Sequence, residues 1–277
     1  MTRWLILDVH NLAHRAYHSM PELDHGEKPT EVILNLLTQI HHQMEIHSTN
    51  QCVFCFDSDK SHRKKVYPDY KANRKRATAT AEEERSFKRF ITQLKALRTQ
   101  YLPAIGFRNV FMVSGFEADD LIASITKYSL DPLDRAFIVS SDSDLYQLLN
   151  HQVAQYDPNL KKTTFAKDVR KRYGVPCSKI ALLDAIAGDP TDNIKGVPGV
   201  GPVKAAQYLR EELKVESKAF RMIRNSRALI ERNLTLTELP LPGTPTFTLQ
   251  QDVTLRGWHQ VSDLLGLKKL KRRLPSG

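Results

Sequence analysis

Two carboxylates, Asp142 and Asp144, stand just after a short apolar run, Phe137-Ile138-Val139. Such a run, apolar and partly β-branched, reads as a buried strand of a parallel sheet, and parallel sheets collect ligand sites at the carboxyl ends of their strands. Acids crowded at such an end repel each other and lose hydration, so they need a cation or another use for the charge. Alone, the pair reads rather as a solvated turn with helix-capping acids.

The pair has company. Trp4-Leu5-Ile6-Leu7 ends in Asp8, and the strand-like run 52–56 ends in Asp57. Another run, 107–113, leads to Glu117, Asp119 and Asp120, three acids in four positions. That exceeds what a helix macrodipole asks of a first turn, and Glu117 and Asp120 would face the same way on a helix. Asp189 and Asp192 form a last pair, after a helix at 178–187. A parallel sheet would converge the first seven acids on one edge, with Asp189 and Asp192 joining them. Oxygen-only ligands select hard ions such as Mg²⁺ or Mn²⁺ over zinc. Two divalent ions would still leave about five negative charges, so basic groups must help to draw in phosphate.

Residues 60–76 are the obvious supplier, with eight Lys or Arg, one acid, and Tyr67 and Tyr70 interleaved. Lacking apolar periodicity, the stretch reads as a mobile basic segment, in which Lys71 and Arg74, three apart, could share a phosphate-gripping face. Further on, Gly196-Val197-Pro198-Gly199-Val200-Gly201-Pro202 precedes a helix at 203–212. Its glycines allow a tight loop, and the amides at the helix start would cradle phosphate. No Gly-Lys-Ser/Thr ends it, so it is not a Walker loop, and a helix-hairpin-helix grip on a DNA backbone suits it better than an ordinary turn.

The elements that must hold these residues follow in order: helices at 11–19, 30–44 and 82–101, a peripheral hairpin at 152–165, and a short helix at 258–265 ahead of a basic tail at 268–273. On the third helix, Phe87, Phe90, Ile91, Leu94, Leu97 and Tyr101 share the side packed on the sheet. His10, His14 and His18 recur every fourth residue but read as a packed or solvated face rather than as metal ligands. Cys52 and Cys55 fall on opposite faces of one strand, which argues against a shared metal or a redox pair. No stretch is long enough to span a membrane and no signal-peptide pattern opens the chain, so a soluble intracellular protein is expected. The 277 residues carry 41 Lys and Arg against 31 Asp and Glu, a net charge of +10. Setting the nine candidate acids aside leaves 41 bases facing 22 acids, a surplus of 19. A strongly acidic centre within a basic surface matches metal-dependent hydrolysis of a nucleic acid backbone.

In their order, Leu7-Asp8 with Asn11-Leu12, Phe56-Asp57, Tyr67-Pro68-Asp69-Tyr70-Lys71-Ala72-Asn73-Arg74, Glu117-Ala118-Asp119-Asp120, Ser141-Asp142-Ser143-Asp144, Gly188-Asp189-Pro190-Thr191-Asp192-Asn193 and the glycine loop resemble the flap endonuclease, or 5′-nuclease, family. The likeness extends to freestanding bacteriophage enzymes and to the 5′-nuclease domain of bacterial DNA polymerase I. It implies an α/β, PIN-like fold: a mostly parallel central sheet flanked by helices, with a helical arch at about 58–85. A nuclease domain of residues 1–175 would then precede a helix-three-turn-helix DNA-binding region at 176–277. By the same likeness Asp8, Asp57, Glu117 and Asp119 hold one Mg²⁺, and Asp120, Asp142, Asp144, Asp189 and Asp192 a second, with Mn²⁺ able to substitute. Lys71 and Arg74 contact the scissile phosphate, Tyr70 stacks on a base, and Arg63, Gly196, Gly199, Gly201 and Lys204 complete the DNA-binding set. The glycine loop also binds a monovalent cation such as K⁺ in relatives. Asp184 departs from relatives that carry a basic residue there, and Lys204 is offset from the loop lysine of others. The implied protein is a monomeric 5′-3′ exonuclease and flap endonuclease of replication and repair, in the cytoplasm of a bacterial or phage-infected cell, cutting DNA at 5′ flaps and junctions. The alternatives are a non-catalytic junction binder of the same fold and an RNA-cleaving nuclease.

Overall fold

The computed structural model describes residues 1–19, 23–25, 28–74, 80–251, 254 and 256–267. The tail at 268–273 and positions 75–79 of the expected arch lie outside these residues. Six strands form one sheet in the spatial order Asn109–Phe111, Cys52–Cys55, Arg3–Asp8, Arg135–Val139, Val153–Asp157, Lys162–Thr164. The first five run parallel and the sixth returns antiparallel. The reversal expected at 152–165 is therefore present. Its first strand is no peripheral hairpin arm, because Phe137 pairs with Ala154 and Val139 with Tyr156 within the parallel sheet.

Helices cover both faces, so the inner strands are apolar throughout rather than alternating. Leu5 and Leu7 enter one core with helices Glu31–His47 and Ala81–Ala96, while Trp4 and Ile6 enter the other with Ala118–Tyr128 and Ile180–Ala187. Cys52 and Cys55 are free, buried thiols in opposite cores, as strand geometry requires. Helix Ala81–Ala96 starts in a capping box between Thr80 and Glu83 and runs on into a π-helical turn, Leu97–Tyr101. Phe90, Leu94, Leu97 and Tyr101 are its buried stripe. Phe87 and Ile91, read from the sequence as part of that side, are 49% and 42% exposed because they flank the stripe rather than lie on it.

Residues 239–251 and 256–267 pack against the sheet layers. Leu241, Phe247 and Leu249 pack in the second core, and Phe247 stacks on Phe111 with centroids 4.5 Å apart. Asn109 and Gln250 exchange two hydrogen bonds of 2.8 and 2.9 Å, which covers the outer strand and keeps it from pairing with another chain. Helix Trp258–Leu264 then brings Trp258 and Val261 into the first core. No described helix is long and apolar enough to cross a membrane.

Candidate metal centre

Five parallel strands pointing one way deliver their following loops to one edge, and the acids gather there. Asp8 ends the first strand, with Oδ1 accepting from Asn11 N (3.1 Å) and Oδ2 from Ser140 Oγ (2.9 Å). Asp57 follows the neighbouring strand. Its Oδ1 accepts from Ala118 N at 2.7 Å, and its own N–H donates to His10 Nδ1 at 3.0 Å. Asn11 Oδ1 accepts from Ser141 N and Oγ at 3.1 and 3.0 Å, tying the first strand to the loop that carries Asp142. Asp142 N donates to Ser140 Oγ, and Asp142 Oδ1 accepts from Asp144 N at 2.9 Å. The acid pair thus sits in a self-bonded turn whose carboxylates remain turned to the site.

On the other side, Gly188–Asp189 and Ile194–Lys195 form a two-stranded hairpin that presents Asp189 and Asp192. It can close because Gly188 and Gly196 approach backbone to backbone; a Cβ on Gly188 would lie 2.3 Å from Gly196 N. Asn233 Nδ2 pins it through Ala185 O and Lys195 O, each at 2.9 Å. Carboxylate oxygens of Asp144, Asp189 and Asp192 come within 4.8 Å of one another.

The fields of these acids act on each other. Burial, then Asp57 and Asp142, push the Asp8 carboxyl up to about 7. Burial, then Asp142, Asp184, Asp189 and Asp192, push Asp144 up to about 8. Asp119 is raised well above the usual range by burial and by Asp142, Asp8 and Asp57. Asp184, one helical turn before Gly188, rises to about 7 through burial, Asp189 and Asp142. These oxygen donors suit hard divalent cations, which would take the place of the protons that burial and mutual repulsion hold on them.

The basic segment closes the site from above. Lys71 Nζ donates to Glu117 Oε2 at 2.6 Å and lies 3.6 Å from Asp192 Oδ2, while Arg74 donates to Asp192 Oδ1 at 2.5 Å. Burial opposes ionisation of Glu117, but Lys71 and Arg63 outweigh it and hold its carboxyl below the usual range. Lys71 adopts a left-handed backbone (φ 55°) with its N–H on Asp192 O, a strained conformation maintained where the amine meets the acids.

Several expectations need correction. The described part of the basic segment is docked, with Arg63 and Tyr70 each 2% exposed. Arg63 spends its guanidinium on Asp120, in two bonds of 2.7 Å, and on Leu236 O at 2.8 Å, so it faces the interior rather than DNA. The Tyr70 hydroxyl lies between Glu117 Oε2 (3.0 Å) and Asp192 Oδ2 (2.9 Å), and its buried ring offers no face for base stacking. Asp120 is fully buried and its oxygens accept from both Arg63 nitrogens, Glu117 N and Leu241 N. All its acceptor positions are used, leaving none for a metal. The three-residue spacing misleads here because Glu117 is the extended N-cap of helix Ala118–Tyr128, and Asp120 bends back to bond its N–H. Gly196 is needed for the close approach to Ala187 and Gly188, not for an open DNA surface. Gly199, Gly201 and Lys204 are exposed, with Lys204 Nζ on Gly199 O at 3.1 Å. His10, read as a packed or solvated face, instead joins the site through Asp57. Ser61, whose hydroxyl donates to Glu117 Oε1 at 2.9 Å, and Ser140 carried no sequence signal.

A pH dependence follows. Asp8, Asp144 and Asp184 release their protons at about 7, 8 and 7 when folded, against 3.8 for the ordinary carboxyl. The folded chain therefore holds more protons than the unfolded one across this window, and its stability falls as pH rises. The buried histidines act oppositely, since His10 and His47 are lowered from 6.5, but they are two groups against three and are spent by about one pH unit above that value, so they blunt the fall without reversing it. In chelator, the thermal midpoint should drop from pH 6.5 to about 8.5, by about 2–4 °C for each kcal/mol lost. Added divalent cation should restore more at the upper pH. Calorimetry at several pH values checks this; a midpoint that is flat or rising in chelator contradicts it.

A chain with this edge of strand-end acids beneath a docked basic segment belongs to the 5′-3′ exonuclease family, whose N-terminal resolvase-like domain matches residues 3–174. Flap endonuclease Xni of Shewanella oneidensis is 30% identical over 211 residues, covering 76% of this chain and 75% of that protein. DNA polymerase I of Rhizobium leguminosarum is 33% identical over 216 residues, and that of Mycobacterium leprae 29% over 293. The chain spans only 20% and 31% of those polymerases. Among solved structures, a bacteriophage T5 flap endonuclease in complex with DNA and metal ions superposes with a TM-score of 0.74 at 26% identity, covering 98% of this chain and 97% of that one. A T5 protein co-crystallised with metal ions gives the same TM-score at 28% identity, over 86% and 90% of the two chains.

Proposed function

We propose that this chain is a structure-specific 5′-nuclease, a flap endonuclease and 5′-3′ exonuclease that hydrolyses DNA phosphodiesters beside single-strand to double-strand junctions. The observation that carries the reading is the docking of Lys71 and Arg74 onto Glu117 and Asp192, above the Asp144, Asp189 and Asp192 group. One surface thereby offers oxygen donors for cations and, within reach, donors for phosphate.

Asp8, Asp57, Glu117 and Asp119 would hold one Mg²⁺, and Asp142, Asp144, Asp189 and Asp192 a second, with Mn²⁺ an alternative. Bound there, the pair would lower the pKa of a water to give the nucleophile and offset charge on the attacking and leaving oxygens. Lys71 and Arg74 would exchange their carboxylate partners for the non-bridging oxygens of the scissile phosphate. Asp120, held by Arg63, would fix the frame from which Glu117 reaches the site. Helix Ile180–Ala187, the loop 188–201 and helix Pro202–Leu209 would serve as the helix-three-turn-helix grip, with the exposed amides at Gly199 and Gly201 and the Lys204 amine on duplex phosphates and K⁺ in the loop. Contacts of this kind read shape, not sequence. The same reading makes the protein a monomer acting in the cytoplasm of a bacterial or phage-infected cell.

Incubation with a 5′-labelled flap DNA, with and without Mg²⁺, tests this. Release of short 5′ fragments only with the metal is expected. Binding without cleavage would instead make the chain a junction-binding protein, and cleavage of RNA alone would make it a ribonuclease.

A further inference from the structure

The first helical turn after the first strand sends one side chain to each flanking strand end. Asn11 bonds Ser141 on one side, and His10 takes the Asp57 amide on the other. The neighbouring strand makes its last sheet bond at Phe56, whose N–H meets Phe111 O at 2.9 Å, so the Asp57 N–H is the first one beyond the ladder. His10 Nδ1 is its partner, at 3.0 Å. The His10 side chain is 18% exposed and its ring stands edge-on to Phe56, centroids 6.0 Å apart. A nitrogen that accepts from an amide carries no proton, so the imidazole is fixed as the Nε2–H tautomer. Asp57 is thus held at both ends, by His10 at its backbone and by Ala118 N at Oδ1, while Oδ2, which accepts neither bond, lies 3.6 Å from His10 Nδ1.

We infer that His10 is a positioning residue, which by accepting the Asp57 N–H aims the Asp57 carboxylate at the first cation. The inference rests on Asp57 being a cation ligand, as proposed above. An orienting partner of this kind is worth on the order of 10–100-fold in metal affinity.

Two substitutions separate the hydrogen bond from the bulk of the ring. In His10→Asn the amide oxygen falls where Nδ1 stood and still accepts from Asp57. In His10→Gln the polar group sits one bond further out, near Nε2, and Asp57 N–H loses its acceptor. Mn²⁺ titration of the DNA-free protein should show an affinity loss of about 10–100-fold for His10→Gln, with His10→Asn within about threefold of the parent. Amide exchange at Asp57 should quicken in His10→Gln alone. Equal losses in both variants, which would make ring packing on Phe56 the cause, overturn the inference, as does unchanged affinity in both. Should the Gln variant not fold, the parent decides: nitrogen-nitrogen coupling across the Asp57 N–H to His10 Nδ1 bond must be detectable by NMR, and its absence overturns the inference. None of these readouts involves DNA, so a failure to cut flap DNA would strike the proposed function and leave the role of His10 to be judged by itself.

Discussion

Replacing Asp142 and Asp144 together by Asn will slow flap cleavage by about 10³-fold or more while DNA affinity stays within about threefold of the parent. The reason is the split between what these residues bond and what they charge. Asp142 Oδ1 accepts from Asp144 N within a tight turn, and an Asn oxygen can do the same, so the loop keeps its shape. What disappears is two carboxyl groups beside Asp189 and Asp192, and with them, on the proposed reading, the hold on a divalent cation that would be worth several kcal/mol in a phosphoryl-transfer transition state. On the proposed reading DNA binding depends on basic side chains and exposed amides elsewhere, and removing negative charge would not weaken it by electrostatics. The double variant should also melt higher than the parent in chelator, because the carboxyl that burial and then its acidic neighbours push up to about 8 is gone. Single-turnover cleavage and DNA binding in Ca²⁺ are the paired measurements; cleavage within tenfold of the parent would sink the assignment.

The second large effect is on folding. Arg63→Met should cost about 3–5 kcal/mol, because it leaves Asp120 charged, fully buried and without its cation. For a chain of this size each kcal/mol lowers the midpoint by about 2–4 °C, so a fall on the order of 10 °C is expected. Adding Asp120→Asn should recover a good part of it, since the buried charge is then removed while an oxygen remains for Glu117 N or Leu241 N. Urea unfolding of the parent, the single and the double variant decides. If Arg63→Met were instead as stable as the parent and bound DNA with a shallower salt dependence, Arg63 would be a phosphate contact after all.

What the sequence disclosed and what it hid divide along a physical line. Strand-end acids were legible because a parallel sheet brings successive carboxyl ends to one edge, so Asp8, Asp57 and Asp142 could be placed without knowing what lies between them. Lys71 and Arg74 were legible as a basic pair by type and spacing, and the structure sets them on Glu117 and Asp192. Asp120 was misread because its fate depends on Arg63 and Leu241, which lie 57 and 121 residues away in the chain. Burial of Arg63 and Tyr70 was invisible for the same reason: a basic, aromatic run carries no local sign that Leu236 or Asp192 will cover it. His10 escaped because its partner is a backbone amide, which has no sequence signature at all.

The packing of residues 239–251 and 256–267 against the sheet has a temporal meaning as well as a spatial one. Chains fold from the amino end as they are made. All the strand-end acids, the hairpin acids and the basic segment therefore leave the ribosome before Leu236 and Leu241, the two residues whose backbone groups finish the Arg63 and Asp120 frame. Until those residues and the outer-strand cover at Gln250 arrive, Glu117 stands on an incomplete support and the strand Asn109–Phe111 lies open. The support of the site thus matures last in the order of synthesis, and a prematurely halted chain carries every acid of the site without the scaffold that holds them in place.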